Sequence, residues 1–268
     1  MQKLSNQILD LNELEKLAIN LCKDISIGDV YLSYFVGIIA SVSLWEYLKV
    51  RFSNLITLTI LVAFVFCMYL SNILFFNILF LILGAITIFI SAFLIISFPL
   101  NKNFLRNPIF WVISGLTLHL AFFASIFYLL FHGENILDGN TFNKRILIIF
   151  IILISVLMDS IAYFIGKKFG KRPFMSNVSP NKTLEGLIGG IIGSIIFGLM
   201  CGHIFEINFL PLIFMLGGFL AFIGDLLISF FKRQSGVKDT GSILPGHGGI
   251  LDRIDSHLIA TPILILLL

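Results

Sequence analysis

The chain has 268 residues, 58% of them hydrophobic and only 12% charged, with a mean hydropathy of +1.02. These figures exclude a soluble globular domain, whose elements would alternate apolar with polar faces, and a net charge of +3 is too small for a nucleic-acid footprint. What remains is an integral membrane protein with an all-α, polytopic helical bundle, since a chain in lipid must satisfy its backbone hydrogen bonds internally.

Residues 1–29 open the chain as an amphipathic, net acidic segment, in which Asp10, Glu13, Glu15, Asp24 and Asp29 outweigh Lys3, Lys16 and Lys23. It reads as a non-spanning helix with no cleavable signal peptide. Residues 30–268 then form the transmembrane domain. Apolar runs at 30–48, 54–70, 76–100, 108–131, 146–166, 184–205, 209–231 and 256–268 give eight expected helices, most of them near the ~20 residues that cross a bilayer. The third run is long enough to tilt or break near Gly84, and the last is short unless its helix starts near Ile250.

Alternation of eight spans puts 13 basic residues on the side of the loop after Phe231 and five on the other, so that loop is expected to be cytoplasmic. Cys22, Cys67 and Cys201 fall at neither metal-ligand nor disulfide spacing and read as reduced packing residues.

Chemistry concentrates in and beneath the last polar loop, 229–256, which holds seven charged residues between two apolar runs. Within the runs, Asp159 and Asp225 precede Lys167 and Lys232 by eight and seven residues, which places both about 10–12 Å beneath one boundary. Either they are a structural pair held by hydroxyls and helix ends, or they share a polar cavity that holds a cation. Asp252 and Asp255, three apart at the expected start of the last helix, would project from one face onto a single ion, or serve as helix-dipole partners. An oxygen-only donor set suits a hard cation such as Mg²⁺.

In PGHGGILDR, Gly248 and Gly249 would let backbone N–H groups cradle an anion, with His247 as a ligand contact or an orienting residue. Lys232, Arg233, Lys238 and Arg253 surround that turn. Acids that bind metal beside bases that bind phosphate are what phosphoryl or nucleotidyl transfer requires. The other basic loop, 167–186, is either a topology determinant facing anionic lipid or a second source of phosphate contacts, Ser179 and Lys182. Gly186, Gly189, Gly190 and Gly193 beyond it are expected to let two helices pack closely.

Three stretches together resemble one family. SFFKR, KD and PGHGGILDRID in the final loop are similar to the signature of the phosphatidate cytidylyltransferases, the CDP-diacylglycerol synthases; DSIAYFIGKKFG and SPNKTLEG resemble that family's preceding blocks, and WEYLK from Trp45 its early helix. The resemblance implies a membrane enzyme that joins CTP to phosphatidic acid, giving CDP-diacylglycerol and pyrophosphate. It implies Mg²⁺, with K⁺ as a second, monovalent ion, on Asp225, Asp252 and Asp255, with Lys238 and Asp239 beside the nucleotide. A homodimer is also implied. Leu184 departs from the pattern, which more often has an aromatic residue there, and the acidic first 29 residues stand where the family has a basic start and a helix. The alternatives are a CTP-dependent lipid kinase acting on a polyprenol or phytol and, from another class, an ion-coupled transporter using Asp159 and Asp225.

Overall fold

The computed structural model describes residues 11–97, 107–132, 144–175, 178–243, 245–246 and 248–267, with side chains from Ile27 onward other than those of Ile95, Ile96, Lys144, Arg145 and Pro180. His247, Lys102 and Arg106 lie outside the described residues.

Nine helices and a two-stranded hairpin make up the described chain: α1 Leu11–Lys49, α2 Asn54–Leu70, α3 Leu74–Ile96, α4 Pro108–Phe131, α5 Lys144–Phe169, β1 Pro173–Met175, β2 Ser179–Thr183, α6 Leu184–Phe205, α7 Leu210–Gln234, α8 Leu251–Ile254 and α9 His257–Leu267. Six helices are long and apolar enough to cross a membrane. The other two expected spans are helices of 17 and 11 residues, α2 and α9. At 1.5 Å per residue these reach about 25 and 16 Å, short of a ~30 Å hydrocarbon core.

Three points along the helices bear on the expected runs. Helix α1 is continuous from Leu11, so the segment before residue 30 joins the first apolar run without a break. The third helix does not break at Gly84; the glycine instead brings it against α4, where a Cβ would collide with Ala121. The last helix does not start near Ile250 as one piece. A turn at Asp255–Ser256 separates the single turn α8 from α9.

Helix α4 is the central column. Most of it is buried, from Trp111 to Leu130, with α1 and α3 packed along it and α9 between it and α7. Polar side chains fix α1 to α4: Ser43 Oγ lies 3.0 Å from His119 Nε2 and Tyr47 Oη 3.0 Å from Ser114 Oγ. In an apolar interior such pairs have few competitors, so they set helix register. Tyr47 also stacks on Trp111, and both meet Phe231 edge-on, joining α1, α4 and α7 just under the final loop. On the other flank α5 lies along α6. Gly189, Gly190 and Gly193 admit Ile165, Met158 and Ile161, the close approach their spacing predicts.

Candidate active site

The site forms where the hairpin, the C-terminal halves of α5 and α7, and the α8–α9 turn meet. Thr183 caps α6 by accepting the Gly186 N–H at 3.1 Å, and the Glu185 carboxylate accepts the N–H groups of Lys171 and Arg172 at 3.1 and 3.2 Å. Helix start and hairpin base are thereby locked together. Antiparallel pairing of Pro173 with Thr183 and of Met175 with Ser179 folds β2 back over the bundle. Arg233, on the last turn of α7, holds the hairpin tip through Nε–H donated to the Val178 carbonyl at 3.3 Å.

This fold carries Lys182 inward. Its ammonium pairs with Asp225 Oδ2 at 2.5 Å and lies 4.7 Å from the centre of the Phe222 ring. Asp225 also accepts the Ser229 hydroxyl at 3.1 Å, one turn along α7. Asp159, the exposed member of the set, accepts the Ser256 hydroxyl at 3.3 Å from the α8–α9 turn. Asp255 is buried, with Oδ1 receiving the Ser256 N–H at 2.8 Å. Burial, then the charges of Asp225 and Asp159, push the Asp255 carboxyl well above the ordinary carboxylate range, against the pull of the Ser256 N–H and Lys232. Asp159 and Asp225, 66 residues apart in sequence, therefore share one polar site with Asp255, and Lys182 enters it from the hairpin.

Asp252 stands apart from these three. Its Oδ1 takes a hydrogen bond from Lys232 Nζ at 2.9 Å, and its Oδ2 takes the N–H groups of Gly249 at 3.0 Å and Thr240 at 3.1 Å. Burial alone would raise this carboxyl, but Lys232 and the two N–H groups bring it below its ordinary value. Asp252 is taken up by Lys232 and the Gly249 and Thr240 N–H groups, whereas Asp255, still on helical backbone with φ −53° and ψ −46°, feels the charges of Asp225 and Asp159. Lys232 is common to both, bonded to the first and attracting the second.

The glycine turn is also used differently from the expected anion cradle. Gly248 has φ +81°, a left-handed backbone that favours glycine, and so brings the Gly249 N–H onto Asp252 rather than outward. Lys238, Asp239, Arg233 and Arg253 are exposed around this turn, and Ser179 is half-buried at the start of β2.

Two contributors were assigned no role from the sequence. Ser256 bridges Asp255 and Asp159, although its place after a carboxylate at a helix start was a signal of capping. Glu46 on α1, visible only as part of WEYLK, is 3% exposed and accepts the Leu251 N–H at 2.8 Å.

Among the described residues no three His, Cys, Asp or Glu side chains stand close enough together to enclose a metal ion. A divalent cation such as Mg²⁺ nevertheless fits, because it is ordinarily held by one or two carboxylates and completed by waters and substrate phosphates. Asp225 and Asp255, close enough that the charge of one acts on the other, would supply that pair with hard oxygen donors.

Comparison with known proteins gives the family of the chain. Residues 18–268 match the model of the cytidylyltransferase family. A Haemophilus influenzae protein named phosphatidate cytidylyltransferase is 35% identical over 184 residues, 65% of this chain and 62% of its own length. One of the same name from Staphylococcus aureus (strain COL) is 46% identical over 128 residues, 45% of this chain and 48% of its own. A third, from Escherichia coli (strain K12), named only as the uncharacterized protein YnbB, is 42% identical over 121 residues, 44% and 41% of the two chains. The matched stretch thus spans about half the length of these relatives. A match to the family model over nearly the whole chain, with the site's carboxylates and lysines inside it, makes this chain a member of the cytidylyltransferase family.

Proposed function

We propose that the protein is a phosphatidate cytidylyltransferase that condenses CTP with phosphatidic acid into CDP-diacylglycerol and pyrophosphate. The observation that carries this reading is the meeting of Asp159, Asp225 and Asp255 with Lys182 and Lys232 at the end of two apolar helices. A water-soluble nucleotide and a lipid headgroup can both reach that level.

The lipid phosphate brings its own nucleophile. One of its oxygens attacks the α-phosphorus of CTP, the new P–O bond forms, and the bond to the bridging oxygen of pyrophosphate breaks. No protein base is needed, and the work of the site is to suppress repulsion between two anions. Magnesium, for which Asp225 and Asp255 are the fitting ligands, would supply neutralisation of the triphosphate and polarisation of the α-phosphorus. Asp252 keeps Lys232 at the site, and Lys232 with Lys182 offsets phosphate charge from the protein side. Lys238, Arg233 and Arg253 line the exposed rim, where pyrophosphate departs. Ser256 orients the Asp159 carboxylate, whose exposure gives the site an open flank toward the bilayer.

With α2 and α9 counted as crossings, the bias of 13 basic residues to five supports a cytoplasmic site, and the bacterial relatives support a plasma membrane. K⁺ as a second ion and a homodimer rest on the family resemblance; potassium titration and light scattering on purified protein would test them. The deciding experiment supplies purified protein with labelled CTP, phosphatidic acid and Mg²⁺. CMP attached to lipid with release of pyrophosphate is the expected result. A lipid kinase would release CDP and leave CMP off the lipid, and ion flux in sealed vesicles without CTP turnover would point to a transporter.

A further inference from the structure

The Glu46 carboxylate lies at the inner end of α1, 205 residues from the segment it binds. It is 3% exposed, and one face of it is walled by glycines: a Cβ at Gly241 or at Gly249 would run into its oxygens. The Leu251 N–H donates to Oε2 at 2.8 Å, and Thr240 Oγ1, buried without another partner, stands beside Gly249. Both glycine contacts and the bond belong to the stretch 240–251, whose Thr240 and Gly249 N–H groups hold Asp252. Glu46 is itself held rigidly, since Ser43 and Tyr47, three residues before and one after, anchor α1 to α4.

We propose that Glu46 is a positioning residue: its carboxylate is the peg on which the glycine-rich loop docks, and through that loop it sets the place of Asp252 and Lys232. It touches neither substrate nor metal in this role. What matters is a hydrogen-bond acceptor of the right length on a fixed helix, rather than negative charge. A displacement of about 1 Å in such a scaffold can cost on the order of 100-fold in rate.

This inference rests on the cytidylyltransferase reading for its kinetic arm only. Glu46→Gln, Glu46→Asp and Glu46→Ala would be compared in the full-length protein, measuring kcat and KM for CTP and, separately, hydrogen exchange of the peptide containing 240–252 by mass spectrometry. The Gln variant keeps an oxygen for the Leu251 N–H and places an NH₂ group toward Thr240. It is expected to retain most of kcat and the loop's protection. Asp is one methylene short and Ala has no acceptor, so both should lose about 10–100-fold in kcat and exchange faster across the loop. If the Ala variant does not fold, the Gln and Asp pair decides. Unchanged kcat and exchange in Asp and Ala would overturn the proposal, as would a Gln variant as inactive as Ala with a protected loop, which would make the charge itself catalytic. A wild-type protein that transfers no CMP would remove the functional reading, while the exchange data would still decide the docking role.

Discussion

Lys182 and Asp225 form an ion pair between the hairpin and the middle of α7, with the ammonium also over the Phe222 ring. The charge of Asp225 is therefore balanced from a loop that the sequence alone left open between a topology determinant and a source of phosphate contacts. Replacing Lys182 with Ala leaves Asp225 facing Asp255 and Asp159 with no partner from the hairpin. A charge-assisted bond is worth about 1.5–3 kcal/mol, so the apparent KM for CTP is expected to rise about 10–100-fold. An unchanged KM in steady-state assays would return this lysine to a topological role.

Asp225→Ala and Asp255→Ala each remove one of the two carboxylates best placed for a cation. Turnover should fall by at least about 10²–10³-fold, the scale of losing one preorganised charge contact. Insertion into the membrane, read by fractionation and thermal unfolding, should persist. Activity retained by both variants would rule out a carboxylate-held metal.

Asp159→Asn tests the exposed member of the set. The asparagine oxygen still accepts the Ser256 hydroxyl, so the geometry survives while the charge is lost. A partial loss of kcat with normal thermal stability is expected, and a fully active variant would make Asp159 structural.

The two acids of the α8 turn should shape pH stability in opposite senses. The folded Asp255 carboxyl is raised toward about 8 by burial and its acidic neighbours. Its contribution is fully present below the ordinary carboxylate value of about 3.9 and is lost as pH rises through the folded value. Asp252 is lowered, so its contribution holds above its ordinary value and fades as pH falls through the folded one. Metal-free protein should therefore lose Tm as pH rises from about 4 to about 8, and Mg²⁺ should reverse the loss, because a bound cation takes the proton's place on Asp255. Melting curves that are flat with pH in chelator would contradict this.

Gly190→Ala probes the α5–α6 contact. The new methyl would sit 2.5 Å from Met158 Sδ and 3.1 Å from the Met158 carbonyl, and the backbone atom cannot swing aside as a side chain can. Because Met158 precedes Asp159, lowered thermal stability accompanied by lowered kcat is expected; overpacking of this kind costs about 1–3 kcal/mol.

Features that depend on local pattern were legible in the sequence. Six long apolar helices and the close-packing glycines follow from run length and spacing, and the structure carries them; Asp159 and Asp225, placed alike by their spacing from a basic boundary, meet in one site. The hairpin was not legible: SPNKT has no alternation, and its strands exist because Glu185 and Arg233 tie down base and tip. The partners of Asp252 and Asp255 were hidden as well. Their three-residue spacing sits on helical backbone, but which of them Lys232 bonds and which one meets Asp225 and Asp159 is a tertiary outcome. Glu46 was seen as part of a motif, but a contact across 205 residues leaves no periodic trace.

That same contact has a consequence for biosynthesis. At about 5–20 residues per second, roughly 10–40 s separate the emergence of Glu46 from that of Leu251. Through that interval a nascent chain carries a carboxylate at the end of its first apolar helix without the N–H that will satisfy it. The loop can seat only once the final helices arrive, so a ribosome that stalls late releases a bundle with most of its spans and no assembled catalytic centre.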